Sequence, residues 1–290
     1  MLGQASKTVA VSDDGAASAS TLDSPNGVWS DGTRILVADQ ENHRVLVWNS
    51  WPTADGQAAN FVIGQSNFSG ETGGGCSSIN LDSPTGVSSN GTRIAISTLN
   101  QNRVLLYDSW PIADNPPAIR ALGQIDLTTC GPNRGNVTND LIGMRYPSAV
   151  FTDGTRVVVA DHDSHRAMVW TSWPASSGAP ANRLLGQSTA AAGGPMGTTR
   201  DSFYHYANGW GETAQIVPDS GWFGTWPVLA PSGDLWVGNT VNRKTMRYAQ
   251  PVSTDNQAAT WIFGQPDPGY TNAWNGNWMI DAARLRLGKN

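Results

Sequence analysis

Short apolar runs separated by polar turns recur along this chain, and each run has the length of a β-strand. In the first set, residues 35–38, 45–48 and 61–63 are apolar, with Asp31-Gly32 before the first run and a polar turn at 40–43. An Asp-Gly dipeptide favours a tight hairpin because glycine readily adopts positive φ. Continuous apolar runs of four residues are typical of strands covered on both faces. The pattern therefore predicts four antiparallel strands, the first of them a short strand before Asp31.

The same set of runs occurs four times. Each unit has an arginine at the start of its third strand and ends on a glutamine after glycine, and the four units span about 22–65, 81–124, 144–187 and 222–265. The fourth unit is degenerate, with Gln250-Pro251 where the others have Trp-Pro. Because repeated small sheets bury their faces against one another, we expect a single all-β domain over 1–290, a β-propeller of four-stranded antiparallel blades.

The two ends leave the number of blades open. Leu2-Gly3-Gln4 matches the ending of later units such as Leu122-Gly123-Gln124, so segment 1–21 starts on the last strand of a unit that is otherwise missing. Segment 266–290 resembles a connector between units. The chain could close as a four-bladed ring, complete an extra blade from its termini, or pair its edge strands with other copies. We expect closure, since open blades would expose apolar faces and unpaired strands.

The turn between the second and third strands carries a family resemblance. Asp39-x-x-Asn42-His43-Arg44-Val45 is echoed by Asn102-Arg103-Val104, Ser164-His165-Arg166 and Asn242-Arg243 at matching places. This pattern resembles the NHL repeat, and the resemblance covers roughly 22–265. It implies a β-propeller, although NHL propellers are usually six-bladed and only four units are complete here.

Composition narrows the partners and the compartment. The net charge is −5 and charged residues are 14% of the chain, so a polyphosphate backbone would be repelled and we expect no nucleic-acid partner. No apolar run approaches membrane-spanning length and no signal peptide follows Met1, so we expect no membrane insertion. Cys76 and Cys130 both lie in connectors between units and could form either a disulfide or two separate thiols. The lysine-poor surface favours a secreted or cell-surface protein whose signal has been removed.

Features that occur in every unit are best explained by folding. The repeated arginines fit this interpretation, and so do Asp39, Thr98 and Asp161, which we expect to hydrogen-bond to backbone groups across the turn. The aromatic pairs of the units, such as Trp48 with Trp51, are expected to pack between blades, although one tryptophan could contact a sugar or a partner.

Catalytic motifs are sparse. An enzyme of the NHL-like amidating-lyase kind would require several histidines around a zinc ion, and the chain has four, two of them at the repeated turn. Asp161, His162 and Asp163 are the candidate metal ligands, for calcium or zinc. The alternative function is therefore a metal-assisted lyase or lactone hydrolase with its site at the mouth of the channel.

The region that interrupts the repeat is the enlarged connector after Gln187. Long loops on rigid scaffolds frequently carry function, although this one could also be an Ω-loop that covers a blade edge. It concentrates the residues that we predict to contact a partner: Arg200, Phe203, Tyr204, His205, Tyr206 and Trp210. We therefore expect a non-catalytic scaffold without a cofactor that presents loops to a protein or glycan, or self-assembles as a homo-oligomer through its edge strands.

Overall fold

The computed structural model describes residues 1–4, 12–187, 189–191, 225–230, 234–239, 244–249, 252–255 and 257–263. Within these residues, four antiparallel sheets of four strands each follow one another in chain order. Blade 1 contains β1 (Pro25–Ser30), β2 (Ile35–Asp39), β3 (Arg44–Trp48) and β4 (Phe61–Ile63). Blade 2 contains β5 (Pro84–Ser89), β6 (Ile94–Thr98), β7 (Arg103–Tyr107) and β8 (Arg120–Leu122). Blade 3 contains β9 (Pro147–Thr152), β10 (Val157–Asp161), β11 (Arg166–Trp170) and β12 (Arg183–Leu185). Blade 4 contains β13 (Thr225–Leu229), β14 (Leu235–Asn239), β15 (Lys244–Tyr248) and β16 (Trp261–Phe263).

The chain is thus an all-β propeller of four-stranded blades, which confirms the predicted fold class. Two short 3₁₀ segments, Ser12–Gly15 and Pro132–Gly135, are the helical elements of the described part. None of its helices is long and apolar enough to cross a bilayer.

Successive blades bury their facing sides against each other. The forward face of blade 1 (Leu36 and Val45 among others) packs against the back face of blade 2 (Ile94 and Leu105) in one hydrophobic cluster. Alternation of side chains along a strand puts Val37 and its neighbours on the opposite, back face of blade 1. Corresponding hydrophobic clusters join the forward face of blade 2 to the back face of blade 3, and the forward face of blade 3 to the back face of blade 4. This explains the continuous apolar runs, because both sides of the inner strands lie in a core.

The first strands of the blades line the centre and contact one another in chain order, from β1 to β5, β9 and β13. Blades 2 and 3 approach closely at Gly86, where a Cβ atom would lie 2.8 Å from the Val150 nitrogen. In the described residues, no contact of comparable extent joins β13 back to β1. Ring closure therefore stays a prediction, and segment 266–290 lies outside the described residues.

The first four residues occupy the position of a fourth-strand end. The Met1 carbonyl accepts a hydrogen bond from the Gly56 N–H at 2.9 Å, as the Val62 carbonyl does from Asn115 at 2.7 Å. Gly3 lies against Leu22, as Gly64 lies against Leu81, and both glycines have the positive φ (84° and 96°) that side chains rarely adopt. The match of Leu2-Gly3-Gln4 to later unit endings thus corresponds to equivalent packing.

The Trp-Pro tryptophans cross from one blade to the one before. The Trp110 Nε1–H donates to Asn49 of blade 1 at 2.7 Å, and the Arg34 guanidinium lies 4.3 Å from its ring centre. Trp173 makes the matching contacts with Asp108 (2.8 Å) and with Arg93 of blade 2. Trp51, the equivalent residue of blade 1, is 57% exposed. Interblade packing is confirmed for two of these tryptophans but not for Trp51.

Candidate functional site: the connector edge

The two edges of the propeller differ in the length of their loops. On the hairpin edge, the first two strands of blades 1–3 are joined by four residues, 31–34 in blade 1, and the third and fourth strands by twelve, 49–60 in blade 1. On the opposite edge, which we call the connector edge, the chain passes from one blade to the next through connector 1 (64–83), connector 2 (123–146) and connector 3 (186–224). The turns between the second and third strands lie on this edge too, because antiparallel strands return to it.

A buried ion pair anchors the connectors in blades 1 and 3. Arg44 Nε donates to Asp39 Oδ2 at 2.7 Å, and Arg166 Nε donates to Asp161 Oδ2 at the same distance. All four side chains have 0% relative exposure. Burial raises the pKa of both carboxyls, and the arginines and hydrogen bonds oppose that rise. Each ion pair joins the last residue of the second strand to the first residue of the third strand across the turn.

The remaining guanidinium nitrogens join successive connectors. Arg166 donates through Nη1 to the Ala190 carbonyl at 3.0 Å and through Nη2 to the Gly143 carbonyl at 2.7 Å. Arg44 makes the corresponding bonds to the carbonyls of Phe68 and Thr21. We call this arrangement, an arginine bound to its own turn and to the connectors before and after its blade, the arginine latch. It confirms a structural role for Arg44 and Arg166.

Blade 2 has the latch without a carboxylate. Thr98 replaces the aspartate, and the Arg103 guanidinium donates instead to Gln101 Oε1, from Nη2 at 3.0 Å. Its connector bonds remain, to the carbonyls of Leu127 (2.7 Å) and Ser77 (3.0 Å). Burial lowers the pKa of Arg103 to about 10, and Tyr107 and Asp126 oppose this without forming an ion pair with it in the described structure.

Two further repeated residues complete the edge. The amide nitrogen of Gln65 donates to the carbonyls of Asn42, His43 and Thr72, so the glutamine ties the turn to connector 1. His43 has a φ of 52° and accepts the Ser83 N–H on its Nδ1 at 3.1 Å. In blade 2, Asn102 Oδ1 accepts the corresponding hydrogen bond from the Tyr146 N–H at 3.1 Å. The turn histidine is therefore structural, as predicted.

A disulfide links connectors 1 and 2. Cys76 and Cys130 are bonded, with their Cα atoms 5.9 Å apart. This decides between the two alternatives that the sequence left open. The bond cross-links the two connectors that flank blade 2, the blade whose latch lacks an ion pair.

Beside the disulfide, connector 2 forms a cavity of about 370 Å³. Gln124 lies in its wall and is fully buried, and its Nε2 donates to the carbonyls of Asn102 (3.0 Å) and Gly131 (2.9 Å). These bonds fix the orientation of the amide, and Gln124 Oε1 is left buried with no hydrogen-bond partner. Arg134 also lines the cavity, and its Nε–H is likewise buried and unpartnered. Buried polar atoms without partners are uncommon in folded proteins.

The turn that carries Arg134 has an unusual backbone. Asn133 and Arg134 both adopt left-handed conformations, with φ of 48° and 58°. Asparagine tolerates this region, whereas arginine does so at a cost of the order of 1 kcal/mol. The Arg134 guanidinium pairs with the Asp140 carboxylate, and this contact holds the side chain at the cavity.

The residues that the sequence proposed for metal binding have structural contacts. Asp161 Oδ2 accepts from Arg166 and its Oδ1 accepts from the Arg145 N–H at 2.7 Å, while His162 Nδ1 lies 2.9 Å from Asp163 Oδ1. The residues that the structure describes contain no group of three or more His, Cys, Asp or Glu side chains placed to bind a metal ion. A metal at Asp161, His162 and Asp163 stays a prediction, and such a metal would compete with Arg166 for the Asp161 carboxylate.

The residues proposed for partner binding lie outside the described residues: Arg200, Phe203, Tyr204, His205, Tyr206 and Trp210. Sequence reasoning missed the cavity of connector 2. The residues that build it, Gln124 and Arg134, carry no pattern that distinguishes a cavity wall from an ordinary loop. The one usable signal was the cysteine in the same connector.

No protein-family model matches the sequence, and no curated protein matches it either. Among solved structures, the chain is similar to a chain of a nidogen/laminin complex (13% identity, covering 83% of this chain and 64% of that one, TM-score 0.44). It is also similar to Kuenenia stuttgartiensis hydrazine synthase (13% identity, covering 83% of this chain and 48% of that one, TM-score 0.43). The WD40 β-propeller domain of Doa1 is similar too (10% identity, covering 86% of this chain and 58% of that one, TM-score 0.40). The chain thus spans about half to two thirds of the length of these chains. TM-scores below 0.5 carry no argument about function, so the β-propeller class rests on the four sheets themselves.

Proposed function

We propose that this protein is a non-catalytic scaffold of the NHL type that presents its connector edge to a protein partner. The observation that carries this proposal is the asymmetry of loop length. The connectors comprise 20, 24 and 39 residues (64–83, 123–146 and 186–224), while the loops of the opposite edge keep constant lengths of four and twelve residues in blades 1–3. Variation confined to one edge of a rigid scaffold is typical of a binding surface.

The contacts of the repeated residues support a scaffold role. The latch arginines, the unit-ending glutamines and the turn residues His43 and Asn102 are all bonded to backbone groups of the turns and connectors. These bonds position the connectors, so the repeated side chains serve the fold. The NHL resemblance supports the same proposal, because Asn42 and Arg44 both donate to Asp39 in the turn where that resemblance lies.

The disulfide supports an oxidising compartment, so the proposal includes a secreted or cell-surface location. The partner residues predicted in connector 3, Arg200 to Trp210, belong to the same proposal. Deleting 193–211 is expected to abolish partner binding while the β-sheet circular dichroism stays unchanged.

Peptides selected from a displayed random library against this protein test which edge binds. Their affinities are then measured for variants of two exposed isoleucines, one on each edge. Ile125 of connector 2 is 59% exposed, and Ile112 on the hairpin edge is 91% exposed. Ile125→Ser is expected to weaken selected peptides at least tenfold, and Ile112→Ser is expected to leave them unchanged. Peptides that depend on Ile112, or an exclusive response to a glycan array, would contradict the proposed function.

A further inference from the structure

A guanidinium group joins the hairpin edges of blades 1 and 2. The Cζ atom of Arg34 in blade 1 lies 4.3 Å from the ring centre of Trp110, and its Nη1 donates to the Gly91 carbonyl at 2.7 Å. Trp110 follows the third strand of blade 2, and Gly91 lies in the first hairpin of the same blade. A cation is attracted to the face of an indole ring, and the carbonyl adds a charge-assisted hydrogen bond. One guanidinium thus binds a ring and a carbonyl of the next blade at once.

Blades 2 and 3 repeat this contact. The Cζ atom of Arg93 lies 5.1 Å from the ring centre of Trp173, and its Nη1 donates to the Gly154 carbonyl at 2.5 Å. The tryptophan after the third strand and the glycine of the first hairpin therefore form a pair of groups that binds arginine. The chain shows this pair with its arginine twice.

Blade 1 carries the same two groups on a surface that is open to solvent. Trp51 follows its third strand and is 57% exposed, and Gly32 lies in its first hairpin. A Cβ atom added at Gly32 would meet no atom within 4 Å. At Gly91 the same atom would clash with the Arg34 guanidinium. The comparison shows that a guanidinium can enter at Gly32 without displacing a group of the protein.

The backbone that carries the two groups has the same geometry in blade 1. The hairpin and the loop between the third and fourth strands have four and twelve residues, as in blades 2 and 3. The Asp31 carboxylate accepts two backbone N–H groups of the hairpin, as the Asn90 amide does in blade 2. In the longer loop, the Gly56 N–H makes the repeated bond, here to the Met1 carbonyl. The ring and the carbonyl of blade 1 are therefore placed as in the other two blades.

The fourth blade does not offer an arginine at the matching place. The residue before the second strand is arginine in blades 1–3, but it is Asp234 in blade 4. Arg247 Nε donates to this carboxylate at 2.9 Å. A ring closed by blade 4 would therefore bring a carboxylate to the place from which blades 1 and 2 extend a guanidinium.

We propose that Trp51 and Gly32 bind an arginine side chain of a partner polypeptide, with the guanidinium over the indole ring and one of its N–H groups on the glycine carbonyl. The matching partner is a tight hairpin of the Ser-Asp-Gly-Thr-Arg kind, the sequence of 30–34. Lysine fits less well, because its compact ammonium lacks the planar face that stacks on a ring. The site lies on the hairpin edge, so it goes beyond the proposed function and does not depend on it.

The direct test uses the disulfide-cyclised peptide Cys-Ser-Asp-Gly-Thr-Arg-Cys as the probe. It is titrated into the isotope-labelled whole chain, and nuclear magnetic resonance follows two signals. They are the indole N–H of Trp51, assigned by its loss in Trp51→Phe, and the backbone amide of Gly32. Saturable shifts of both signals with a millimolar dissociation constant are expected, as for a small ligand with one exposed cation–π contact. Absence of saturation, or a shift of only one signal, would overturn the proposal.

Peptide variants separate the charge of the arginine from its shape. Citrulline, the neutral isostere, and lysine in place of arginine are each expected to weaken binding at least about threefold. Equal binding of the citrulline peptide would show that the guanidinium charge is not recognised, and the proposal would be wrong.

Protein variants locate the site. Trp51→Ala is expected to abolish the peptide-induced shift of Gly32, and its circular dichroism should match that of the wild type because the ring is exposed. Ile112→Ser is the matched control, since Ile112 is 91% exposed on the same edge, and it is expected to bind as the wild type does. Binding retained in Trp51→Ala, or lost in Ile112→Ser, would contradict the site.

A last measurement tests whether the chain supplies the arginine itself. Arg284 and Arg286 lie in segment 266–290, outside the described residues. Replacing both by alanine is expected to leave the Trp51 indole signal unchanged in the absence of peptide. A shift of that signal would assign the site to the chain's own segment and would overturn the proposal of a partner.

Discussion

Blades 1 and 3 carry a carboxylate at two repeat positions where blade 2 carries a neutral side chain. Asp31 of blade 1 corresponds to Asn90, and Asp39 corresponds to Thr98. The backbone arrangement is nevertheless retained, because Asn90 Oδ1 accepts the N–H groups of Thr92 and Arg93 just as Asp31 does those of Thr33 and Arg34. At the hairpin, the comparison teaches that the repeat requires an oxygen acceptor and does not require a charge. At the turn, the Thr98 hydroxyl instead donates to the Arg103 carbonyl at 3.1 Å.

What the charge adds is a second bond to the arginine. Asp31 Oδ2 accepts from Arg34 Nε at 3.0 Å, and Asp39 Oδ2 accepts from Arg44 Nε. In blade 2 the Gln101 amide provides this acceptor for Arg103, and no carboxylate is buried beside it. Blade 2 therefore keeps the arginine latch with neutral acceptors, and the disulfide joins the two connectors that flank this blade.

The largest difference is expected when the latch arginine is removed. Arg44→Met leaves the Asp39 carboxylate buried without its partner and is expected to lower the free energy of unfolding by about 3–5 kcal/mol. Arg103→Met leaves no carboxylate behind and is expected to cost about 1–3 kcal/mol in lost hydrogen bonds. Urea unfolding followed by tryptophan fluorescence measures both at pH 7. Equal losses would show that the Asp39 charge is solvated or protonated and would end the distinction between the blades.

The disulfide is expected to have the next largest effect and to act on blade 2 in particular. Replacing Cys76 and Cys130 by serine is expected to cost about 2–4 kcal/mol, given the 54-residue separation. Arg103 bonds to both cross-linked connectors, at Ser77 and Leu127, so it and the disulfide duplicate one restraint.

Arg103→Met in the serine background should therefore cost more than the sum of the separate changes, by about 1 kcal/mol. Arg166→Met provides the control, because Arg166 bonds to connector 2 at Gly143 but not to connector 1. Its effect and that of the serine replacements are expected to add. Additivity for Arg103 as well would show that its bonds and the disulfide act independently.

The smallest effect is expected at the hairpin, and it depends on pH. Partial burial alone would raise the pKa of Asp31, but the N–H groups of Arg34 and Thr33 and the guanidinium of Arg34 bring it down to about 2. Because the pKa is lower in the folded than in the unfolded protein, the carboxylate stabilises the fold above pH 4, and this contribution is lost as the pH falls from about 4 to about 2.

Asp31→Asn, which copies blade 2, should therefore remove about 1 kcal/mol at pH 7 and little at pH 2. Asn90→Asp should add a similar pH-dependent increment to blade 2. Thermal unfolding of wild type and both variants between pH 2 and pH 7 gives the comparison. A wild-type advantage over Asp31→Asn that persists at pH 2 would assign the effect to something other than ionisation of Asp31.

The sequence by itself determined the blades. Apolar runs of strand length, the Asp-Gly and Asn-Gly hairpins and the recurring arginine place β2 at Ile35–Asp39 and β3 at Arg44–Trp48, within a residue of the prediction. These are local properties, since side-chain alternation and turn conformation depend on neighbouring residues. The structural role of Arg44 followed as well, because a residue that recurs in every unit serves what every unit must do.

Only the tertiary structure decided how distant residues meet. The bond between Cys76 and Cys130 and the bonds of Arg166 to the carbonyls of Gly143 and Ala190 depend on how the connectors of separate units are brought together. Such contacts leave no periodic trace in the chain, because a long connector can reach many positions and its residues follow neither the strand nor the helix period. For that reason the repeat could be derived from the order of residues, while the cavity could be found only in the folded molecule.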